Sequence, residues 1–293
     1  MPREVKISAC QYSVREIRDF DDLAIRVRAL LDQAAGSDIA LFPELFTIEL
    51  FTTLKDWKKR PISELVLIDQ FTSAYKQLFQ EEAKKRGQFI AGGSHLEEVS
   101  DGRFENIAHI FGPDGEIYSH TKTHIFPAEA TWSTSEGSKM EVFQLPFAKV
   151  GFNVCYETEI PECSTSLVEQ GAEIILTPSA TFTEQGFWRV RHCAQARCIE
   201  NQIYLVHCCL SGQPGAPLPN AWARSSVLGP CDLAWTNPAG IIAEAQANVE
   251  TTVTGTVNLD LLYENRASGA APTFKDRRRQ VPLYRSWPSH VRT

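Results

Sequence analysis

Hydrophobic and polar positions fall into alternating strand-like and helix-like blocks along most of this chain. Val5 to Ala9 reads as a buried strand, and Leu23, Val27, Leu30, Leu31 and Ala34 then recur at helical spacing. Asp19, Asp21 and Asp22 lie where a helix N-terminus favours negative charge, and Gly36-Ser37 closes the element. Asp38 to Phe42 is a second buried strand. Strand, helix and strand in so short a stretch predict a right-handed crossover and a parallel pair. Leu65, Ile68, Tyr75, Leu78, Phe79 and Ala83 predict one long amphipathic helix over 63–86, stopped by Gly87, and Gln88 to Gly92 returns as a strand. Phe104 to Phe111 and Glu116 to Lys122 alternate about Pro113-Asp114-Gly115, which predicts a hairpin.

A second hairpin is expected from 141–145 and 149–154, then a helix over 161–170 ended by Gly171. A strand over 173–177 runs into Pro178-Ser179-Ala180, and a helix (187–200) and strand (202–209) follow. Short strands are expected at 223–228, 234–235, 240–245 and 252–258. From Glu264 onward the sequence is polar and rich in proline and arginine, and 264–293 reads as a C-terminal tail laid over a neighbouring subunit. No linker or repeat interrupts the pattern, so residues 1–293 read as one domain.

Composition narrows the functional classes. With 43% hydrophobic and 22% charged residues the chain is ordinary globular protein, and its net charge of −7 argues against general affinity for nucleic acid or anionic membrane. No stretch approaches the ~20 apolar residues that span a bilayer. The N-terminal segment carries charges without a signal-peptide core, so the protein is expected to be cytoplasmic, with its 8 cysteines reduced. Cys193 and Cys198 fall on different helix faces and no Cys-x-x-Cys pair exists, so no metal site is expected.

The candidate chemistry lies at three strand ends. Val150, Phe152 and Val154 alternate with Gly151 and Asn153, and the strand stops at Cys155. A cysteine there is either a small buried apolar residue or a nucleophile. Glu44 follows Phe42-Pro43 in an apolar setting where burial requires a charged partner. Lys122 ends the second hairpin strand, with Glu129 seven residues on. A thiol near its usual pKa of ~8.5 needs a base or a positive neighbour to act as a nucleophile. A carboxylate can take its proton, and an ammonium can stabilise an oxyanion.

Glu, Lys and Cys in this order and these settings resemble the nitrilase superfamily of carbon–nitrogen hydrolases. Phe42-Pro43-Glu44 resembles its general-base motif, Lys122-Thr123-His124-Ile125-Phe126 its lysine motif, and Gly151 to Glu157 with Ile160-Pro161-Glu162 its nucleophile motif. The resemblance spans essentially the whole chain. It implies a four-layer α-β-β-α sandwich, paired into a homodimer or larger assembly. It further implies Glu44 as base, Lys122 as oxyanion stabiliser, Cys155 as acylated nucleophile, Glu129 as a second glutamate positioning Lys122 and substrate, and the Tyr156 N–H as oxyanion donor. No metal or organic cofactor is implied. A Cys–His hydrolase is the rival, but the local motifs of those families are absent, and His124 is expected to orient its loop.

The implied substrate is a small amide or nitrile. Tyr156, where true nitrilases typically carry tryptophan, favours the amide, with nitriles, N-carbamoyl compounds, acyl transfer and a silent binding role as alternatives. Relatives resembling omega-amidases carry an arginine shortly after the cysteine, whereas Thr158-Glu159 stands here. Glu159 either faces the pocket, favouring a substrate amine, or caps the helix beginning near Ile160. Trp132, Ala180, Phe182 and Trp188 are candidate pocket residues.

Overall fold

The computed structural model describes residues 3–133 and 135–285. The chain opens with β1 (Glu4–Val14), α1 (Phe20–Gln33), β2 (Ile39–Leu41), α2 (Thr72–Arg86), β3 (Phe89–Ser100), β4 (Arg103–Phe111) and β5 (Ile117–Thr121). Next come β6 (Val142–Gln144), β7 (Lys149–Phe152), α3 (Pro161–Glu169), β8 (Ile174–Ser179), α4 (Glu184–Asn201) and β9 (Tyr204–Gly212). It ends with β10 (Ser226–Leu228), β11 (Ile241–Glu244), β12 (Thr251–Asn258), α5 (Leu259–Ser268), α6 (Thr273–Arg279) and α7 (Val281–Arg285).

The strands form two sheets, ordered β5-β4-β3-β2-β1-β12 and β6-β7-β8-β9-β10-β11. Among the described residues, the two sheets pair as strands where β1 passes β9, from Tyr12 opposite Leu210 to Val14 opposite Gly212. The pleat sorts each strand's side chains into two cores. Val5, Ile7, Ala9, Ile39 and Leu41 face Val150, Phe152, Ile174, Leu176, Tyr204 and Val206 between the sheets. Tyr12, Ala40, Phe42 and Ile90 point the other way, onto Leu23, Val27, Leu30 and Leu31 of α1 and Tyr75, Leu78 and Phe79 of α2. Ile175, Leu205 and Leu228 pack likewise on Leu167 of α3 and Ala194 and Cys198 of α4. Three apolar layers separate four layers of secondary structure, the expected α-β-β-α sandwich.

Several elements depart from the sequence pattern. The expected helix over 63–86 is two pieces, a 3-10 stretch over Ile62–Phe71 and then α2. Leu65, Ile68 and Phe71 recur every three residues, the 3-10 repeat, before Tyr75 and Phe79 take up the α spacing. Ala234-Trp235 forms a turn, not a strand, with Trp235 edge-on to Tyr204. Of 223–228 only β10 pairs, and β3 runs to Ser100, well beyond Gly92. Beyond Glu264, α6 packs on its own chain: Thr273 Oγ1 donates to Ile199 O, and the Arg278 guanidinium lies over Phe274 and pairs with Glu169 of α3. Residues 286–293 of the expected tail lie outside the described residues.

Candidate active site

β2, β3 and β5 point one way in the first sheet, and β7, β8 and β9 do so in the second; the parallel β1–β9 contact aligns the two sets. Their C-terminal ends therefore open on one side of the sandwich, where α/β sheets present crevices. Glu44 follows β2 and Lys122 follows β5, from the first sheet, while Cys155 follows β7 and Ala180 follows β8, from the second.

The charges meet out of contact with water. Lys122 is 1% exposed, Glu44 2% and Glu129 4%. The Lys122 ammonium donates to Glu44 Oε1 at 2.6 Å and to Glu129 Oε2. Burial works against the Lys122 charge, but the Glu129 and Glu44 carboxylates outweigh it and hold its pKa above the ordinary lysine value. Burial raises the Glu44 pKa, with Lys122 opposing the shift. The Glu44 carboxylate also accepts from the Ala180 N–H at 2.9 Å, and the Cys155 thiol lies 3.9 Å from the carbonyl oxygen of the same residue. Burial and then the Glu44 charge push the Cys155 thiol well above the usual range, while Lys122 pulls the other way. Burial and the Glu44 charge thus both favour the neutral thiol over the thiolate.

Both loops carrying these groups hold a non-glycine residue in the left-handed region: Leu45 at φ 46° and Cys155 at φ 45°. Such strain costs of order 1–3 kcal/mol per residue and persists only where the surroundings over-determine it. Leu45 N donates to Ser94 Oγ at 3.1 Å. Around Cys155 the brace is Glu157, which is fully buried and accepts from Val154 N at 2.6 Å, Thr123 N at 2.7 Å, Thr123 Oγ1 at 2.6 Å and His120 Nε2 at 3.0 Å. Burial pushes the Glu157 pKa up, but His120 and Thr123 overcome it and leave it below the usual value. Glu157 thus ties the loop after Lys122 to the loop of Cys155. Its place two residues after the cysteine was visible in sequence; its partners, on another sheet, were not.

Gly93 governs the other loop. It sits at φ 69° in the irregular β3–β4 register, and a Cβ there would lie 2.0 Å from the Pro43 carbonyl oxygen, just before Glu44. Gly93→Ala is expected to cost about 2 kcal/mol or more, through a backbone clash and a strained φ together. The loss should appear in thermal unfolding, with turnover falling as Glu44 is displaced.

The cavity beside these groups measures about 180 Å³ and is mainly apolar, with room for a small ligand only. Trp132, Tyr156, Glu159, Ala180 and Phe182 all line it, as does Phe126. Trp188 does not; it packs on Phe187 and Trp222. No histidine lines the cavity among the described residues, and His124 contacts Thr123 and Cys163 instead. Glu159 does not cap α3: the N-cap is Ile160, without a side-chain bond. It accepts instead from Arg189 Nε at 2.7 Å. Arg189 comes from α4 and lines the cavity; its guanidinium lies over the Phe126 ring and makes no further hydrogen bond among the described residues. Sequence reasoning missed it, because its neighbour in space lies 30 positions away.

Residues 6–267 match the profile of the carbon–nitrogen hydrolase family. The chain is 37% identical over 286 residues to a probable hydrolase, YhcX, of Bacillus subtilis, covering 94% of this chain and 54% of that protein. It thus spans about half the length of that relative. It is 26% identical over 290 residues to omega-amidase NIT2 of Danio rerio, covering 94% of this chain and 95% of that one. Among solved structures, a carbon–nitrogen hydrolase from Helicobacter pylori superposes with a TM-score of 0.78 at 18% identity, covering 98% and 99% of the two chains. A cysteine-to-alanine mutant of the Nesterenkonia AN1 amidase, from the nitrilase superfamily, superposes with a TM-score of 0.74 at 20% identity, covering 97% of each.

Proposed function

The chain belongs to the carbon–nitrogen hydrolase family, and from that premise we propose that it hydrolyses a small amide through a thioester on Cys155. The observation that carries this reading is the buried Lys122 ammonium bonded to both Glu44 and Glu129, two carboxylates that line one cavity together with Cys155. Glu44 takes the thiol proton as Cys155 Sγ attacks the carbonyl carbon. Lys122 and the Tyr156 N–H stabilise the oxyanion, at the point where charge develops. The C–N bond breaks, the leaving nitrogen receives the proton from Glu44, and ammonia or amine departs. Water then gives a proton to Glu44 and attacks the thioester; the carbon–sulfur bond breaks, the acid leaves and the thiol regains its proton. The chemistry calls for no metal or organic cofactor. The 8 free cysteines accord with a cytoplasmic setting, and exposed Ile199 on α4 accords with a homodimer.

The Glu159–Arg189 pair bears on the acyl group. With its charge matched by Arg189, Glu159 no longer favours an amine, and the guanidinium nitrogens that make no hydrogen bond among the described residues can receive a carboxylate or a neutral polar end group. That change of preference also accords with the omega-amidase relatives. Intact mass spectrometry after exposure to amides, nitriles and N-carbamoyl compounds tests the reaction: an acyl adduct on Cys155 with ammonia release from amides is expected, and preferred turnover of nitriles overturns it. Arg189→Gln should raise KM for amides bearing a carboxylate by about tenfold, the scale of one charge-assisted hydrogen bond, with kcat nearly unchanged. Faster turnover of amine-bearing amides by the parent sinks this end-group assignment.

A further inference from the structure

We infer that Asn106 is a positioning residue that helps keep Glu44 ionised where it shares a single lysine with Glu129, an inference that rests on the roles proposed above for those groups. Asn106 lies on β4 and is 1% exposed. The β4–β5 register sets it across from Lys122, whose backbone N–H donates to Asn106 O at 2.9 Å. The Asn106 side chain donates from Nδ2 to Glu44 Oε1 at 2.9 Å and to Glu129 Oε1 at 3.0 Å. Ionised carboxylates only accept, so the amide nitrogen must face them.

Two carboxylates share one ammonium in a dry site, which leaves an excess negative charge. The simplest relief is for one carboxylate to keep a proton, and a protonated Glu44 is no base. Asn106 offers a different relief, adding donors without adding charge. Glu44 then accepts from Lys122, Asn106 and the Ala180 N–H, and Glu129 from Lys122, Asn106 and the Phe126 N–H. A second lysine here would neutralise the excess but also weaken Glu44 as a base. The asparagine's own Oδ1 is buried and accepts no hydrogen bond among the described residues. A side chain kept only for packing would be poorly suited to that position, since one of its polar atoms is left unsatisfied.

The test reads the pH dependence of Cys155 alkylation by iodoacetamide, which needs no substrate, alongside the pH profile of amide turnover. Cys155→Ala serves as the blank and Glu44→Gln as the reference for loss of the base. Asn106→Leu removes both donors at similar volume, so Glu44 holds its proton to higher pH. The acid limb of both profiles should move up by about one pH unit, with activity partly recovered on the alkaline side. Asn106→Ser gives the same readout should the leucine variant not fold. If Glu44→Gln changes the alkylation profile while both Asn106 variants leave it in place, Asn106 is structural and the inference is overturned. A parental alkylation profile that Glu44→Gln leaves unchanged overturns instead the reading of Glu44 as base.

Discussion

Cys155→Ala is expected to release no measurable ammonia from any amide the parent turns over, a loss of about 10⁴-fold or more, as for other nucleophile deletions. Its stability should stay within about 1 kcal/mol of the parent, because the exchange removes one sulfur atom from a cavity wall. The wall itself is held by Glu157, whose bonds to Val154 and Thr123 do not involve the thiol. Paired measurements of turnover and thermal unfolding separate the two quantities. Residual turnover at a tenth of the parental rate would remove Cys155 from the reaction. Cys155→Gly extends the comparison: at φ 45° glycine is unstrained, so this inactive variant should unfold later than Cys155→Ala.

Lys122→Leu is expected to be both inactive and the more fragile molecule. It removes the cation from between two carboxylates that are each less than 5% exposed. Breaking a buried pair in this way costs roughly 3–5 kcal/mol, since the remaining charges are left uncompensated. The deficit should depend on pH in a defined direction. Burial already raises the Glu44 pKa against the pull of Lys122, and without the lysine it rises further above the unfolded value of about 4.3. A carboxylate that binds its proton more tightly when folded loses stability as pH rises from the unfolded pKa through the folded one. Urea titrations should therefore find the variant closest to the parent near pH 4 and furthest behind at neutral pH. A deficit that shrinks as pH rises contradicts the account of the charges.

The strand-end chemistry was legible because each group has a local signature. Phe42-Pro43-Glu44, Lys122 and Cys155 each close an apolar run, and the family resemblance they carry implied the layers that bring them together. What escaped was whatever depends on register or crossing. Asn106 is an unremarked polar position until the β4–β5 pairing sets it across from Lys122. Arg189 gains its meaning from a helix turn laid against the 3-10 turn of Cys155–Glu159. Gly93 looks like half of a glycine pair in a strand, and only the approach of Pro43 explains it. The helix over 63–86 misled because spacing by three fits both helical repeats over a few residues.

The division of the site between the two sheets has a consequence for how the molecule comes into being. Glu44, Lys122 and Glu129 belong to loops of one sheet and Cys155 and Ala180 to loops of the other, and the layer of side chains between Ile7 and Val206 holds the sheets in apposition. Neither sheet alone carries all of these groups. During synthesis Glu44 and Lys122 emerge before Cys155, and the thiol meets Glu44 only when the two sheets dock. On the proposed mechanism, reactivity therefore depends on both sheets being docked. Turnover then serves as a gauge of completed assembly, lost with the inter-sheet core and regained with it.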